Sequence, residues 1–232
     1  MNSSVLIVIP TYNESDNVPP LLEDIWKHSP EAHVLIVDDN SPDGTAGIVK
    51  SLQASAGSKL FLLERPGKSG LGTAYLEGFR WALKHHYKKI IQMDADFSHD
   101  PEILPTMIAK LDHVNGVIGS RYISGGGTLN WSFLRKAISK LGSFYARSIL
   151  SVPIHDFTGG FNGWQDTVLK TLALDQIKSQ GYSFQIELKY RAAQRNFKLE
   201  EVPIIFNERR SGQSKMSFKI ILEAIRAVWR IR

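Results

Sequence analysis

The chain has 232 residues, 43% hydrophobic and 22% charged, which is ordinary for one globular domain with a substantial core. It has no Cys, which excludes a disulfide framework and a thiolate metal site. The net charge of +5 is unevenly spread: residues 121–150 hold Arg121, Arg135, Lys136, Lys140 and Arg147 with no acid, and residues 205–232 hold seven basic residues against two acids. The N-terminus lacks a basic, apolar leader pattern and no run of about 20 apolar residues occurs, so neither a secretory leader nor a membrane span is expected.

Residues 5–9, Val-Leu-Ile-Val-Ile, form a continuous apolar run that predicts a strand buried on both faces, as in a parallel sheet. Pro10 to Glu14 ends it, and Val18, Leu21, Leu22, Ile25 and Trp26 mark the stripe of a helix. Residues 33–37 predict a second strand that runs into Asp38-Asp39-Asn40, and Ser41 or Asp43 is placed to cap the next helix. A third strand is expected at 60–63, a helix from the glycines at 67–72 to about 86, a fourth strand at 90–93, a helix near Pro101 and a fifth strand ending at Gly119. Alternation of this kind predicts a doubly wound, mostly parallel α/β sheet flanked by helices.

The alternation stops after Arg121. A glycine-rich loop at 124–128 leads to a helix over 133–150 with Leu134, Ile138, Leu141, Tyr145 and Ile149 as its apolar stripe. A helix at 184–195 and a strand near 200–206 follow. Residues 216–232 predict a basic amphipathic helix, suited either to docking on the core or to a membrane surface or membrane-anchoring partner.

Gly67-Lys-Ser lacks the upstream glycine of a phosphate-binding P-loop, and no G-x-G-x-x-G follows the first strand, so those nucleotide folds are excluded. Acids replace the glycine turn: Glu14, Asp38, Asp39, Asp94 and Asp96 all follow predicted strands at one edge of the sheet, where α/β folds bind ligands. Clustered carboxylates suit a hard divalent cation or the hydroxyls and amines of a nucleoside. They repel a diphosphate directly, so a nucleotide diphosphate there requires Mg²⁺ or Mn²⁺ between. A solvated acidic turn before a helix fits Asp94-Ala-Asp96 when it is taken alone. Arg135 and Ser139 are four residues apart and share a helix face that can bind an anion. The acidic edge and the separated basic patches speak against nucleic acid as a partner.

Pro10-Thr-Tyr-Asn-Glu14, Val37-Asp-Asp-Asn-Ser-Pro-Asp-Gly-Thr45 and Met93-Asp-Ala-Asp-Phe-Ser-His-Asp-Pro101 together resemble the inverting nucleotide-sugar glycosyltransferases of family 2. Gly119-Ser-Arg-Tyr122, Asp156-Phe-Thr-Gly-Gly-Phe161 and Arg209-Arg-Ser-Gly-Gln-Ser-Lys215 are similar to its dolichyl- or polyprenyl-phosphate mannose synthase type. The resemblance implies a single GT-A-like domain: a nucleotide-sugar half over 1–120, an acceptor half over 121–215 and the helix at 216–232. It implies donor contacts from Pro10, Tyr12, Glu14, Val37, Asp39, Asp94, Ala95, Asp96, Arg121, Arg209 and Lys215. It further implies metal ligands at Asp94, Asp96 and Ser98, a lipid-phosphate site at Arg121, Arg135 and Ser139, and catalytic roles for Asp96 and Arg121. Asn162 stands where relatives often carry Arg, and Asp156 suits either a structural role or a sugar contact.

The implied reaction moves mannose from GDP-mannose to a polyprenyl or dolichyl phosphate on the cytoplasmic face of a membrane. UDP-glucose is the alternative donor, and a sugar-nucleotide-binding module the alternative without catalysis. A phosphomonoester is largely dianionic at neutral pH and needs no strong base. The Asp pair is therefore expected to anchor the donor and metal, not to act as acid and base.

Overall fold

The computed structural model describes residues 4–179, 181–208 and 226–232. β1 (Val5–Thr11), α1 (Val18–His28), β2 (His33–Asp38), α2 (Thr45–Ala56), β3 (Leu60–Glu64), α3 (Leu71–Lys84), β4 (Lys89–Gln92), α4 (Leu104–Lys110) and β5 (Gly116–Ser120) follow the expected alternation. The second part of the chain adds β6 (Gly127–Thr128), α5 (Phe133–Leu150), β7 (Asn162–Gln165), α6 (Asp166–Thr171), α7 (Gly181–Gln194), β8 (Leu199–Pro203) and β9 (Ile205–Phe206).

Seven strands make one sheet in the order β3-β2-β1-β4-β7-β5-β8, and β6 pairs with β9 beside it. All ladders of the large sheet are parallel except those of β7, which runs antiparallel to both β4 and β5. β7 and α6 are elements that the sequence reading missed. Asn-Gly-Trp-Gln has neither an apolar run nor a clean alternation, and the strand is held by its two neighbours instead.

The apolar runs of β1 and β2 are buried because both faces are covered. Val5, Ile7, Ile9, Val34 and Ile36 pack toward α1, α2 and α4, while Leu6, Val8, Leu35 and Val37 pack toward α3 and α7. α3 lies very close to the sheet at Gly78, where an added Cβ would come 2.4 Å from a Val8 methyl. Gly78→Ala is therefore expected to overpack this layer and lower stability by about 1–3 kcal/mol, read as a reduced midpoint in thermal or denaturant unfolding.

Two helices differ from expectation in their orientation or capping. The N-cap residue of α2 is Gly44 at φ 86°, not Ser41 or Asp43, but Asp43 Oδ1 accepts from the amide of Thr45, the first residue of the helix, at 3.0 Å. The Ser41 and Asp43 side chains also accept from the amides of Asn13 and Ser15, latching the loop after β1 to the loop after β2. α5 buries Ser143, Ala146 and Leu150, and leaves Leu134 and Leu141 of the predicted stripe exposed together with Phe133 and Phe144. Tyr145 and Ile149 of the predicted stripe are partly buried and pack on the same cluster as Ala146 and Leu150.

Of the predicted C-terminal helix, residues 226–231 are described and are helical; the remainder lies outside the described residues. This turn docks on the core: Ala227 and Val228 are buried, Val228 joins the cluster of α5 and α7, and Trp229 Nε1 donates to Tyr145 Oη at 2.7 Å.

Candidate active site

β1, β2, β4 and β5 all run in the same direction, so the loops after them meet at one edge of the sheet. β7 is antiparallel, and its incoming loop, residues 156–161, reaches that same edge from the opposite chain direction. One short loop thereby meets both predicted parts of the site.

The turn after β4 holds the carboxylate pair. Asp94 N–H donates to His99 Nδ1 at 3.0 Å, and Ser98 N–H donates to Asp96 Oδ1 at 3.1 Å, with Phe97 at φ 61° between them. A left-handed conformation is costly for an aromatic residue and is the kind of strain found at ligand sites. The His99 ring stacks on Phe161 with ring centroids 4.8 Å apart, which fixes the turn against the loop before β7. Asp94 Oδ1 accepts from Tyr75 Oη at 2.9 Å. Burial, reinforced by the Asp94 carboxylate, holds the Tyr75 phenol well above its ordinary pKa, so it remains a donor.

Asp96 and Ser98 are buried, and Ser98 Oγ has no hydrogen-bond partner among the described residues. An all-oxygen donor set with a buried hydroxyl lacking a partner fits a hard divalent cation. Among the described residues there is no cluster of three or more His, Asp or Glu side chains able to cage a metal. Asp96, Ser98 and Asp94 could thus hold Mg²⁺ or Mn²⁺ only with oxygens from elsewhere, as Mg²⁺ usually takes them from phosphates and water.

The side of the edge expected to take the nucleoside is built from β1 and β2. Asp38, buried, accepts from Thr11 Oγ1 and Ser41 Oγ at 2.8 and 2.6 Å and so ties the two strand ends together. Asp39 pairs with the Arg65 guanidinium, which also donates to Glu77 and Thr73. Burial pushes the Asp39 carboxyl above its ordinary value, and Arg65 offsets only part of that. The Glu14 carboxylate accepts from Asn17 Nδ2 at 2.6 Å, and Lys68 Nζ lies 3.5 Å from the centre of the Tyr12 ring. Arg65 and Lys68 escaped the sequence reading, because nothing in their spacing ties them to Asp39 or Tyr12. Pro10 lies with them at the end of β1. Val37 and Ala95 sit at this edge too, but their side chains are core.

On the side expected to take the acceptor, Arg121 is 6% exposed. Its Nε and one terminal nitrogen donate to the two oxygens of Asp156 at 2.7 Å each, and that nitrogen also donates to Thr158 Oγ1 at 2.8 Å. Tyr122, Trp131 and Phe206 surround the guanidinium with ring centres 5.1–5.5 Å away. Burial alone would raise the Asp156 carboxyl, but Arg121 overcomes it and holds the pKa at about 2. Of the two roles open to Asp156, the geometry supports the structural one. Buried Lys189 donates to the carbonyls of Asp156, Phe157 and Gly159 and clamps the loop; burial draws its pKa down to about 7.

Arg135 lies over the Trp131 ring at 4.0 Å and donates to Glu208 at 3.3 Å, and Ser139 Oγ accepts from Tyr122 Oη at 2.7 Å. The basic stretch without acids is therefore supplied with acids in space, by Asp156 and Glu208. Arg121, Tyr122, Phe133, Lys136, Leu141 and Phe144 line a groove of about 740 Å³ along α5, with Arg121 among its polar residues. Arg209 and Lys215 lie outside the described residues. Asn162, where relatives often have Arg, is fully buried on β7 and hydrogen-bonded to Gln185, so the position holds no cation.

Residues 6–172 match the profile of glycosyl transferase family 2. The chain is 42% identical over 230 residues to the polyprenol monophosphomannose synthase of Mycolicibacterium smegmatis, covering 98% of this chain and 87% of the relative. It is 43% identical over 221 residues to the undecaprenyl-phosphate mannosyltransferase of Micrococcus luteus, covering 95% and 90%. Its fold is similar to that of a mannosyltransferase from Pyrobaculum calidifontis in complex with GDP-Man and Mn²⁺, with TM-score 0.60 and 17% identity over all of this chain and 74% of the other. The chain belongs to glycosyl transferase family 2.

Proposed function

We propose that this chain transfers mannose from GDP-mannose to a polyprenyl or dolichyl phosphate, with inversion, using Mg²⁺ or Mn²⁺. The observation that carries this reading is the loop 156–161. Through Asp156 and Thr158 it holds Arg121, and at Gly160 it approaches the Asp94 carboxylate, 3.9 Å from where a Cβ would stand. In this reading one segment links a residue assigned to the acceptor, Arg121, with one assigned to the donor, Asp94. The names of the two relatives support a mannosyl donor and a polyprenyl phosphate acceptor.

In this reading Asp39 and Glu14 accept from the nucleoside, and Asp96 with Ser98 faces the diphosphate. Arg121 and Arg135 screen and orient the acceptor phosphate, which overcomes the repulsion between two anions. The first isoprene units follow the apolar wall of the α5 groove. A phosphate oxygen attacks the anomeric carbon while the bond to the diphosphate oxygen breaks, and its electron pair leaves with GDP. Asp94, Asp96 and Ser98 would hold a divalent cation, which when bound would supply positive charge to offset that of the departing diphosphate. Arg209 and Lys215 are assigned to the same diphosphate on the resemblance alone.

A polyprenyl acceptor lies in a bilayer, and α5 is built to meet one. Phe133, Leu134, Leu141 and Phe144 are exposed, with Lys136 and Lys140 among them. Such a mixture favours an anionic membrane surface. No helix among the described residues is long and apolar enough to cross a membrane. We place the chain peripherally, on the cytoplasmic face.

The test is a donor screen with GDP-mannose, UDP-glucose and UDP-GlcNAc against a C55 polyprenyl phosphate, with Mg²⁺ or Mn²⁺. Lipid-linked mannose from GDP-mannose is the expected product. Transfer from a uridine donor in preference would replace the donor assignment.

A further inference from the structure

Lys189, on α7, is fully buried, although lysine is among the residues least often found so. Its ammonium donates to three backbone carbonyls, those of Asp156 at 2.8 Å, Phe157 at 3.2 Å and Gly159 at 2.8 Å. All three belong to the loop before β7. An ammonium has three N–H donors and no acceptor, so this site uses every one. A neutral amine has two N–H bonds and a lone pair, and would set that lone pair against one of the carbonyls. The loop is thus wrapped around a cation.

The same short stretch grips Arg121. Asp156 accepts from the Arg121 amide at 3.0 Å as well as from its guanidinium, and Gly159 N–H donates back to Asp156 Oδ1 at 2.9 Å. Thr158 Oγ1 accepts from Arg121 and lies 3.2 Å from Ser143 Oγ of α5. Carbonyl dipoles that converge on one point repel one another, so the turn that aims Asp156 and Thr158 at Arg121 needs a positive charge at its centre. A buried cation is costly to keep, and a core that needed only filling is served better by an apolar side chain.

We propose that Lys189 is a positioning residue for transfer: its ammonium shapes residues 156–159, and through them holds Arg121 toward the acceptor phosphate, so that loss of the Lys189 proton slackens the site. The inference rests on the assignment of Arg121 to the acceptor given above. Charges face Lys189 from three elements. Asp156 on the loop and Glu201 on β8 favour the ammonium, and Arg121 after β5 opposes it. His155 pairs with Glu201 at the surface, and on α7 itself Glu187 and Arg191 pair with each other. Burial outweighs the carboxylates, and the resulting pKa of about 7 places the loss of the proton near neutral pH.

The test is the pH profile of the full chain with GDP-mannose and a C55 polyprenyl phosphate. Wild-type kcat/KM for the lipid phosphate should fall about tenfold per unit as pH rises above 7, while the Kd for GDP, read by calorimetry, changes less than about twofold. Lys189→Arg, whose charge does not titrate in this range, should lose the decline. Lys189→Met should be about 10- to 100-fold lower at pH 6.5 and should show no decline of its own. Stability runs the other way. The folded pKa of about 7 lies below the ordinary 10.5, so between the two the unfolded chain holds a proton that the native state has lost, and stability rises with pH. A fall in transfer without a fall in melting temperature therefore separates positioning from unfolding.

An alkaline decline that survives in Lys189→Arg, or a GDP Kd that moves in parallel with the acceptor kcat/KM, would overturn the proposal. If one variant does not fold, the other decides. If neither folds, or if no lipid phosphate is a substrate and the acceptor reading itself fails, the backbone amide resonances of residues 156–159 in the wild-type chain decide. They should titrate together with the Lys189 Nζ resonance near pH 7, and loop resonances that ignore that titration would overturn the proposal.

Discussion

Asp96→Asn should lower kcat/KM for sugar transfer by about 10³-fold or more while the protein stays folded. Asn retains an oxygen to accept from Ser98 N–H, now 3.1 Å from Asp96 Oδ1, so the turn is preserved. What disappears is the negative charge in a buried all-oxygen site. The melting temperature should move by no more than about 2 °C, since a surviving hydrogen bond limits the stability change to a few tenths of a kcal/mol. Chelation by EDTA should reproduce the loss with the wild-type chain. Undiminished transfer in the variant or in EDTA would remove Asp96 from the diphosphate site.

Asp156→Ala should damage both stability and activity. It leaves the Arg121 guanidinium buried without its bidentate partner, and breaking a buried pair from one side costs about 3–5 kcal/mol. Urea unfolding would read that loss as a lower midpoint. The same carboxylate makes stability acid-sensitive. Its folded pKa of about 2 lies below the ordinary value of 3.8, so the native state holds the deprotonated form more tightly. That stabilisation is complete above about pH 4 and is lost as pH falls through 2; the difference in pKa corresponds to about 2 kcal/mol. Under conditions where the variant remains folded, transfer should drop about 10²-fold because Arg121 is no longer held in register. An Asp156→Ala protein with native stability and full transfer would show that Arg121 needs no such support.

The parts of the fold written in local pattern were legible. β1 and β2 are continuous apolar runs because both faces are covered, and that burial leaves its mark residue by residue. The carboxylates were legible because they interrupt those runs abruptly at strand ends. The helix over 133–150 was predicted to the residue, yet its orientation was not. Its inner face joins Ser143 and Ala146, which carry little hydrophobic signal, to Tyr145, Ile149 and Leu150, while Phe133, Leu134, Leu141 and Phe144 face outward.

What escaped depends on partners far apart in the chain. Asp156 and Arg121 are 35 positions apart, and Asn162 and Gln92 are 70 apart, so no window of sequence contains either pair. The reading of 121–150 as a basic stretch free of acids was correct for the sequence and incomplete for the molecule. Asp156 and Glu208 arrive through space. Arg65 reaches Asp39 in the same way.

The placement of β7 between β4 and β5 has a consequence for how the protein is made. When the first 120 residues have left the ribosome, β4 is paired to β1 on one side only, and β5 has no neighbour on the sheet to join. The growing chain must keep an open, apolar strand edge in water until the segment that carries Asn162 and Trp164 is synthesised. A chain released early would expose that edge to other nascent chains, so production should depend on chaperones and on low crowding of unfinished copies. The insertion that completes the sheet also brings in residues 156–161. The segment that completes the sheet thus also carries the loop that joins Arg121 to the turn of Asp94.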